Sequence, residues 1–211
     1  MKKQYKNFIS FEGIDFSGKT TQISSLLPRF EEVGISVEVL REPGGTLISE
    51  EIRSILLNPE HHMMHPRAEI LLYSAARAQL VHEKIIPMLE NGQYIIADRF
   101  FDSTTAYQGY GRKLDIQFVH QLNSFATSGV IPYKTFFIDI TPREAYRRHK
   151  EAQRGRDRLE KEEISFYEAI REGFLKIAKE NPERFIVIDG ERPIHEVTSL
   201  LWSHIKKIWN L

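Results

Sequence analysis

The 211-residue chain contains no cysteine. Disulfides, thiolate nucleophiles and cysteine-based zinc sites are thereby excluded. Neither sign of charge is in excess, since 29 Lys+Arg stand against 29 Asp+Glu. A neutral total gives no general pull toward nucleic acid or an anionic membrane, so any anion must be met by a local concentration of positive charge. No apolar run approaches the ~18 residues of a membrane span. The short stretch Phe8–Phe11 behind Met1-Lys2-Lys3 is interrupted by Glu12, which excludes a signal peptide. Internal repeats and low-complexity tracts are missing too. What remains is ordinary globular usage, 41% apolar and 27% charged. Length and composition predict one cytoplasmic domain over 1–211, able to bury a core without staples.

Short runs rich in Ile, Val and Phe predict strands at Phe8–Glu12, Ser36–Leu40, Tyr94–Asp98, Thr135–Asp139 and Arg184–Asp189. Helical patterns lie between them at Lys19–Val33, Leu47–Leu57, Arg67–Glu90, Leu114–Thr127, Pro142–Gln153, Lys161–Glu180 and Pro193–Trp209. The alternation predicts an α/β fold with a parallel sheet and helices on both faces. Strands buried on both sides explain why Ile186-Val187-Ile188 is wholly apolar. Ligands on such sheets gather outside the carboxyl ends of the strands. Pro28 falls inside the first helical pattern, where a kink or an early end is expected.

Gly13-Ile14-Asp15-Phe16-Ser17-Gly18-Lys19-Thr20 matches G-x-x-x-x-G-K-[ST] between a strand and a helix. Glycines let successive backbone N–H groups turn toward phosphate oxygens, backed by the helix N-terminus. Lys19 then reaches the β/γ-phosphates of a nucleotide, and the Thr20 hydroxyl is a ligand for Mg²⁺. Gly13, Ile14, Asp15, Phe16, Ser17, Gly18, Lys19, Thr20 and Thr21 are therefore the candidate donor-nucleotide residues. Tyr94-Ile95-Ile96-Ala97-Asp98 is an apolar strand ending in a carboxylate, which places Asp98 beside the cradle as a second Mg²⁺ ligand. Arg99, next to it, can clamp a second phosphate bidentately.

The Asn-Lys-x-Asp guanine reader of switch GTPases does not occur, and the one D-x-x-G lies inside the cradle itself. A small kinase acting on a phosphate-bearing acceptor fits better. Such an acceptor needs no strong general base, because a phosphate monoester has a second pKa of about 6. Catalysis is then positioning plus charge neutralisation.

Several further runs resemble the thymidylate (dTMP) kinase family along nearly the whole chain: Phe11-Glu12-Gly13-Ile14-Asp15, Arg41-Glu42-Pro43-Gly44-Gly45-Thr46, Ser74-Ala75-Ala76-Arg77, Asp98-Arg99-Phe100 and Asp102 to Arg112. The resemblance implies a P-loop NTPase-type three-layer α/β/α fold with a central five-stranded parallel sheet. It also implies ATP-dependent conversion of dTMP to dTDP with Mg²⁺, by a homodimer with no nucleic-acid or membrane partner. Carried over position by position, Arg99 and Arg53 resemble arginines contacting the dTMP phosphate. Tyr73 falls where an aromatic ring stacks on thymine, and Arg77 where an arginine bonds the base. Thr104 and Gln108 resemble the pair reading the thymine edge, and Tyr107 the bulky side chain disfavouring a ribose 2′-hydroxyl. Asp15 resembles the acid facing the sugar, Glu42 the carboxylate near the acceptor, and Pro43 a position that is often cis.

Arg143–Glu163 is charge-dense, and Arg154-Gly155-Arg156-Asp157-Arg158 breaks its helical pattern. A mobile lid at about 150–160 is expected there. One subtype of the family carries an arginine after the cradle Asp and the other supplies it from the lid; here that position is Phe16. Arg154 is thus the expected catalytic lid arginine, with Arg156 or Arg158 as alternatives, and Arg148 resembles a residue stacking on adenine. Two rival readings stand beside this one: another nucleoside monophosphate kinase, and a nucleotide-binding regulatory module without turnover. His61, His62 and His65 read as a loop rather than a metal site. Trp202 and Trp209 read as the packing stripe of the last helix.

Overall fold

A computed structural model describes residues 3–152, 157–160 and 162–211. Its five strands are β1 (Lys3–Glu12), β2 (Val37–Arg41), β3 (Tyr94–Asp98), β4 (Val130–Asp139) and β5 (Phe185–Asp189). They form one sheet in the order β2-β3-β1-β4-β5, with every pairing parallel. The expected three-layer α/β/α fold with a five-stranded parallel sheet is therefore the observed one. Around it run α1 (Lys19–Glu32), α2 (Leu47–Leu57), α3 (Pro66–Leu80), α4 (Ile86–Glu90), α5 (Phe101–Thr104), α6 (Ile116–Ala126), α7 (Pro142–Ala152), α8 (Ile164–Glu180) and α9 (Ile194–Trp209). Among the described residues no helix is long and apolar enough to cross a membrane.

Strand alternation divides the core between the faces of the sheet. Ile9, Phe11 and Ile96 pack with Ile23, Leu26 and Phe30 of α1 and Leu201, Ile205 and Trp209 of α9. Phe8, Ile95 and Ala97 point the other way, onto Leu80, Val81, Ile85 and Leu89. Phe30 packs against both Trp202 and Trp209, as the stripe reading required. A third cluster joins Phe137 and Ile140 to Phe166, Ile170 and Phe174 of α8 and to Tyr107.

Several expectations need correction. Of the two outcomes expected at Pro28, the early end does not occur, because helix α1 continues to Glu32. Pro28 and the Ser24 carbonyl it leaves without a donor lie on the solvent side, while Leu26 and Phe30 keep the buried face packed. Strands β1 and β4 begin earlier than expected, because Lys3–Tyr5 pairs with Val130–Pro132 and the Gln4 side chain donates to the Pro132 and Tyr133 carbonyls. The long pattern at Arg67–Glu90 is α3 and α4 joined by a π-helical turn, Val81–Ile85. Phe101–Gly111, for which the apolar pattern indicated no helix, coils as α5 and a π-helical turn over Thr105–Gly111. That wider turn carries Tyr107 and Gln108.

Candidate active site

The carboxyl edge of the sheet holds a cavity of about 1050 Å³. Its floor is the cradle between β1 and α1. Gly13 has φ 149° and Gly18 has φ 95°. A Cβ at Gly13 would stand 2.6 Å from both the Ile138 carbonyl oxygen and Ser17 Oγ, so only glycine permits the turn. No side chain caps α1 at Gly18, which leaves its N-terminal dipole to an anion. Lys19 Nζ spans the loop, donating to the Gly13 and Ile14 carbonyls at 3.1 and 2.9 Å. Burial, then the nearby Arg99 guanidinium, pulls Lys19 down to about 8 against the carboxylates of Asp98, Asp15 and Glu12. An added phosphate would favour the charged ammonium.

Parallel pairing sets Phe11 opposite Asp98, which brings the end of β3 to the cradle. Thr20 Oγ1 donates to Asp98 Oδ2 at 2.6 Å, so the two expected Mg²⁺ ligands meet. Both are oxygen donors, as the hard Mg²⁺ ion prefers. No cluster of three or more His, Asp or Glu suited to a metal occurs among the described residues. A pair of oxygen ligands completed by substrate phosphates is the arrangement Mg²⁺ commonly uses. The residues present fit that ion.

Arg99 turns back over the cradle from a left-handed backbone, φ 71°. Its Nη1 donates to the Gly13 carbonyl and to Ser103 Oγ, and its Nη2 to Asp15 Oδ1 at 2.7 Å. The turn is held from below by Glu12, fully buried, which accepts from the Phe100 and Ser103 N–H groups and the Ser103 hydroxyl. Burial and the neighbouring Asp102 push the Glu12 carboxyl up to about 7 despite Arg99 and its hydrogen bonds. Burial would raise Asp15 as well, but Arg99 and Lys19 together hold it below the usual carboxylate range. Tyr107 donates to the other Asp15 oxygen at 2.9 Å and lies 5.1 Å beneath the Arg99 guanidinium.

A second polar group lines the far side of the cavity. Arg77, 2% exposed, sends Nε and Nη2 to Glu42 Oε2, Nη2 also to the Phe100 carbonyl, and Nη1 to Thr104 Oγ1. One Nη1 hydrogen is left over, as is the Thr104 hydroxyl proton. Gln108 donates its amide to Glu69 Oε1 at 2.9 Å. Tyr73, Arg53 and Glu42 border the same space, and Arg53 donates to the Pro43 carbonyl. The Glu42–Pro43 peptide is cis.

The opposite end is closed by α7 and the loop after β5. Arg148 bridges them, donating to Glu144, to the Gly190 carbonyl and to the Ser17 carbonyl of the cradle. Phe16 packs edge-on against His149. Arg154 and Arg156 lie outside the described residues. Arg158 is buried: it meets Glu69 Oε2 at 2.7 Å and donates to the Leu56 carbonyl. In this arrangement it anchors the segment to α2 and α3. The histidines of the α2–α3 connection make local bonds, His61 with the Ile55 carbonyl and His65 as the cap of α3.

The fold thus brings Asp15 to Thr21, Glu42, Arg53, Tyr73, Arg77, Asp98, Arg99, Thr104, Tyr107, Gln108 and Arg148 around one cavity, while Gly13 and Ile14 lie behind its wall. Sequence reasoning missed Glu12 and Glu69, which are buried behind the cavity and hold residues that line it. Glu12 is a charge at the end of a strand buried on both faces. Glu69, Tyr73 and Arg77 recur at four-residue spacing on one helical face. Either pattern could have drawn attention to them.

A family model described as thymidylate kinase matches residues 11–201. The chain is 47% identical over 200 residues to a thymidylate kinase of a Thermoanaerobacter species, covering 95% of this chain and 97% of the relative. It is 48% identical over 200 residues to one from Caldanaerobacter subterraneus subsp. tengcongensis, covering 95% of each. The crystal structure of thymidylate kinase from Ehrlichia chaffeensis superimposes with a TM-score of 0.77 at 35% identity, covering 96% of this chain and 98% of that one.

Proposed function

The chain belongs to the thymidylate kinase family, and from that membership we propose that it transfers the γ-phosphoryl group of ATP to the 5′-phosphate of dTMP, giving dTDP and ADP. The reading takes residues 1–211 as one nucleoside monophosphate kinase domain with its lid at about 150–160, acting as a cytoplasmic homodimer. The observation that carries it is the division of one cavity into a phosphate cradle and a second polar pocket, with Arg99 between them.

The cradle N–H groups and Lys19 hold the donor phosphates. Thr20 and Asp98 would hold Mg²⁺, which would neutralise charge on the donor phosphates when bound. Arg99, fixed by Gly13, Ser103 and Asp15, and Arg53 orient the acceptor phosphate as the nucleophile. Its oxygen is already anionic near neutrality, so no side chain need remove a proton. Arg154 is the lid residue assigned to the charge developing on the transferred group. Arg148 borders the adenine of the donor.

Base choice follows from the polarity of the second pocket. Arg77 and Thr104 each offer a hydrogen, while Gln108 turns its amide nitrogen to Glu69 and has its carbonyl oxygen left for a donor. Thymine presents a carbonyl beside an N–H and satisfies both. Cytosine presents an amine beside an unprotonated nitrogen and leaves both sides unpaired. Tyr73 supplies an aromatic face for stacking, and Tyr107, bonded to Asp15, crowds the sugar.

A coupled assay of ADP release with dTMP, dUMP, dCMP and AMP as acceptors tests the reading. It expects dTMP to give the highest kcat/KM. Faster turnover with dCMP or AMP would transfer the chain to another nucleoside monophosphate kinase activity. ATP binding without turnover on any of them would favour the regulatory module.

A further inference from the structure

We propose that Glu69 is a positioning residue that fixes the polarity of base recognition by holding Gln108 in one amide orientation. The inference rests on the acceptor reading above and adds a residue to it that does not touch the substrate.

Glu69 is completely buried on α3. Its Oε1 accepts from Gln108 Nε2 at 2.9 Å and from Arg112 Nε at 3.2 Å. Its Oε2 accepts from Arg112 Nη2 at 3.1 Å and meets Arg158 Nη1 at 2.7 Å. Four donors therefore occupy a group with about four lone-pair positions. Burial would raise its pKa, but Arg112, Gln108 and Arg158 together outweigh it and keep the carboxyl below the usual range.

An ionised carboxylate accepts and cannot donate. Only the NH₂ end of the Gln108 amide can therefore face it. Reversing the amide would set two oxygens against each other in a buried site. The Gln108 oxygen is directed elsewhere, and Gln108 lines the cavity with Thr104 and Arg77. The pocket consequently offers an acceptor next to two donors, and the polarity of that acceptor is decided at Glu69. Arg112 and Arg158 make the arrangement stable by keeping Glu69 charged.

Glu69→Gln tests this. An amide at position 69 can donate to Gln108, so the Gln108 amide is free to reverse and present NH₂ to the base. The expected result is a fall of about tenfold to a hundredfold in the kcat/KM ratio of dTMP to dCMP. The ratio of dTMP to dUMP should stay constant, because those bases share the same edge. A merely structural role would lower all three acceptors in parallel and leave both ratios unchanged, which would overturn the assignment. Should Glu69→Gln fail to fold, Glu69→Asp keeps the charge for the two arginines but withdraws it from Gln108 by one methylene. The same fall in the dTMP to dCMP ratio is expected there, and an unchanged ratio refutes the proposal. Unmodified protein that does not prefer dTMP to dCMP would instead refute the acceptor reading on which the proposal rests.

Discussion

Replacing Glu12 with glutamine should make the protein more stable at alkaline pH while lowering its activity. Glu12 sits fully buried at the end of β1, beneath the turn that carries Arg99. Burial and Asp102 raise its carboxyl from 4.5 to about 7. Between those values the folded protein retains a proton that the unfolded chain has released, so stability falls as pH rises from about 4.5 to about 7 and is level above. Glutamine has the shape of the protonated acid and keeps an oxygen for the Phe100 and Ser103 N–H groups. At 1.36 kcal/mol per tenfold change in proton affinity, its advantage grows from about 1 kcal/mol at pH 5 to about 3 kcal/mol at pH 8. For a chain of this length, the gain at pH 8 corresponds to about 6–12 °C in melting temperature. Urea unfolding of the ligand-free protein and its variant at the two pH values measures it. Turnover should fall, because the Ser103 hydroxyl that braces Arg99 loses its carboxylate acceptor. An advantage equal at both pH values, or a variant less stable at pH 8, would refute the account.

Four other outcomes are expected. Gly13→Ala should lose ATP binding in equilibrium dialysis, since its Cβ would lie 2.6 Å from the Ile138 carbonyl and the loop must deform. Asp102→Ala strands Arg184, which now meets both Asp102 oxygens at 2.6 and 2.8 Å while 7% exposed. It should lower unfolding stability by about 3–5 kcal/mol, read from urea midpoints. Arg154→Ala should reduce kcat more than tenfold with little change in melting temperature, an order-of-magnitude loss typical of a charge-stabilising donor. Arg158→Ala should instead lower the melting temperature, because it removes a buried partner of Glu69. The reverse pattern would exchange their roles.

What the sequence determined by itself was local or periodic. The cradle is one contiguous run whose spacing dictates its turn, so Gly13 to Thr20 could be assigned before any contact was known. Apolar runs and helical spacing likewise settled the parallel α/β class, because each reports burial through residues close in the chain. The early starts of β1 and β4 escaped, since Lys3 and Gln4 are polar, Pro132 interrupts the apolar run of β4, and the pairing joins segments distant in the chain. So did the coil over Phe101–Gly111, where the chain tightens around Arg99, Thr104 and Gln108 without an amphipathic stripe.

Only the tertiary structure decided the partners. Glu12 and Asp102 stand far apart in the chain and influence each other only because Glu12 holds the turn before Asp102, at Phe100 and Ser103, which lie 88 and 91 residues away. Glu69 reads as one helix-face charge among many until α3, the Gln108 turn and the segment at Arg158 converge on it. Arg158 looked equivalent to the arginines before it, yet burial against α2 gives it another task. The absence of cysteine and of net charge left chemistry to oxygen, nitrogen and local polarity. Which donor faces which acceptor was set by long-range contacts, because the desolvation that makes such pairs matter exists only once distant segments have packed together.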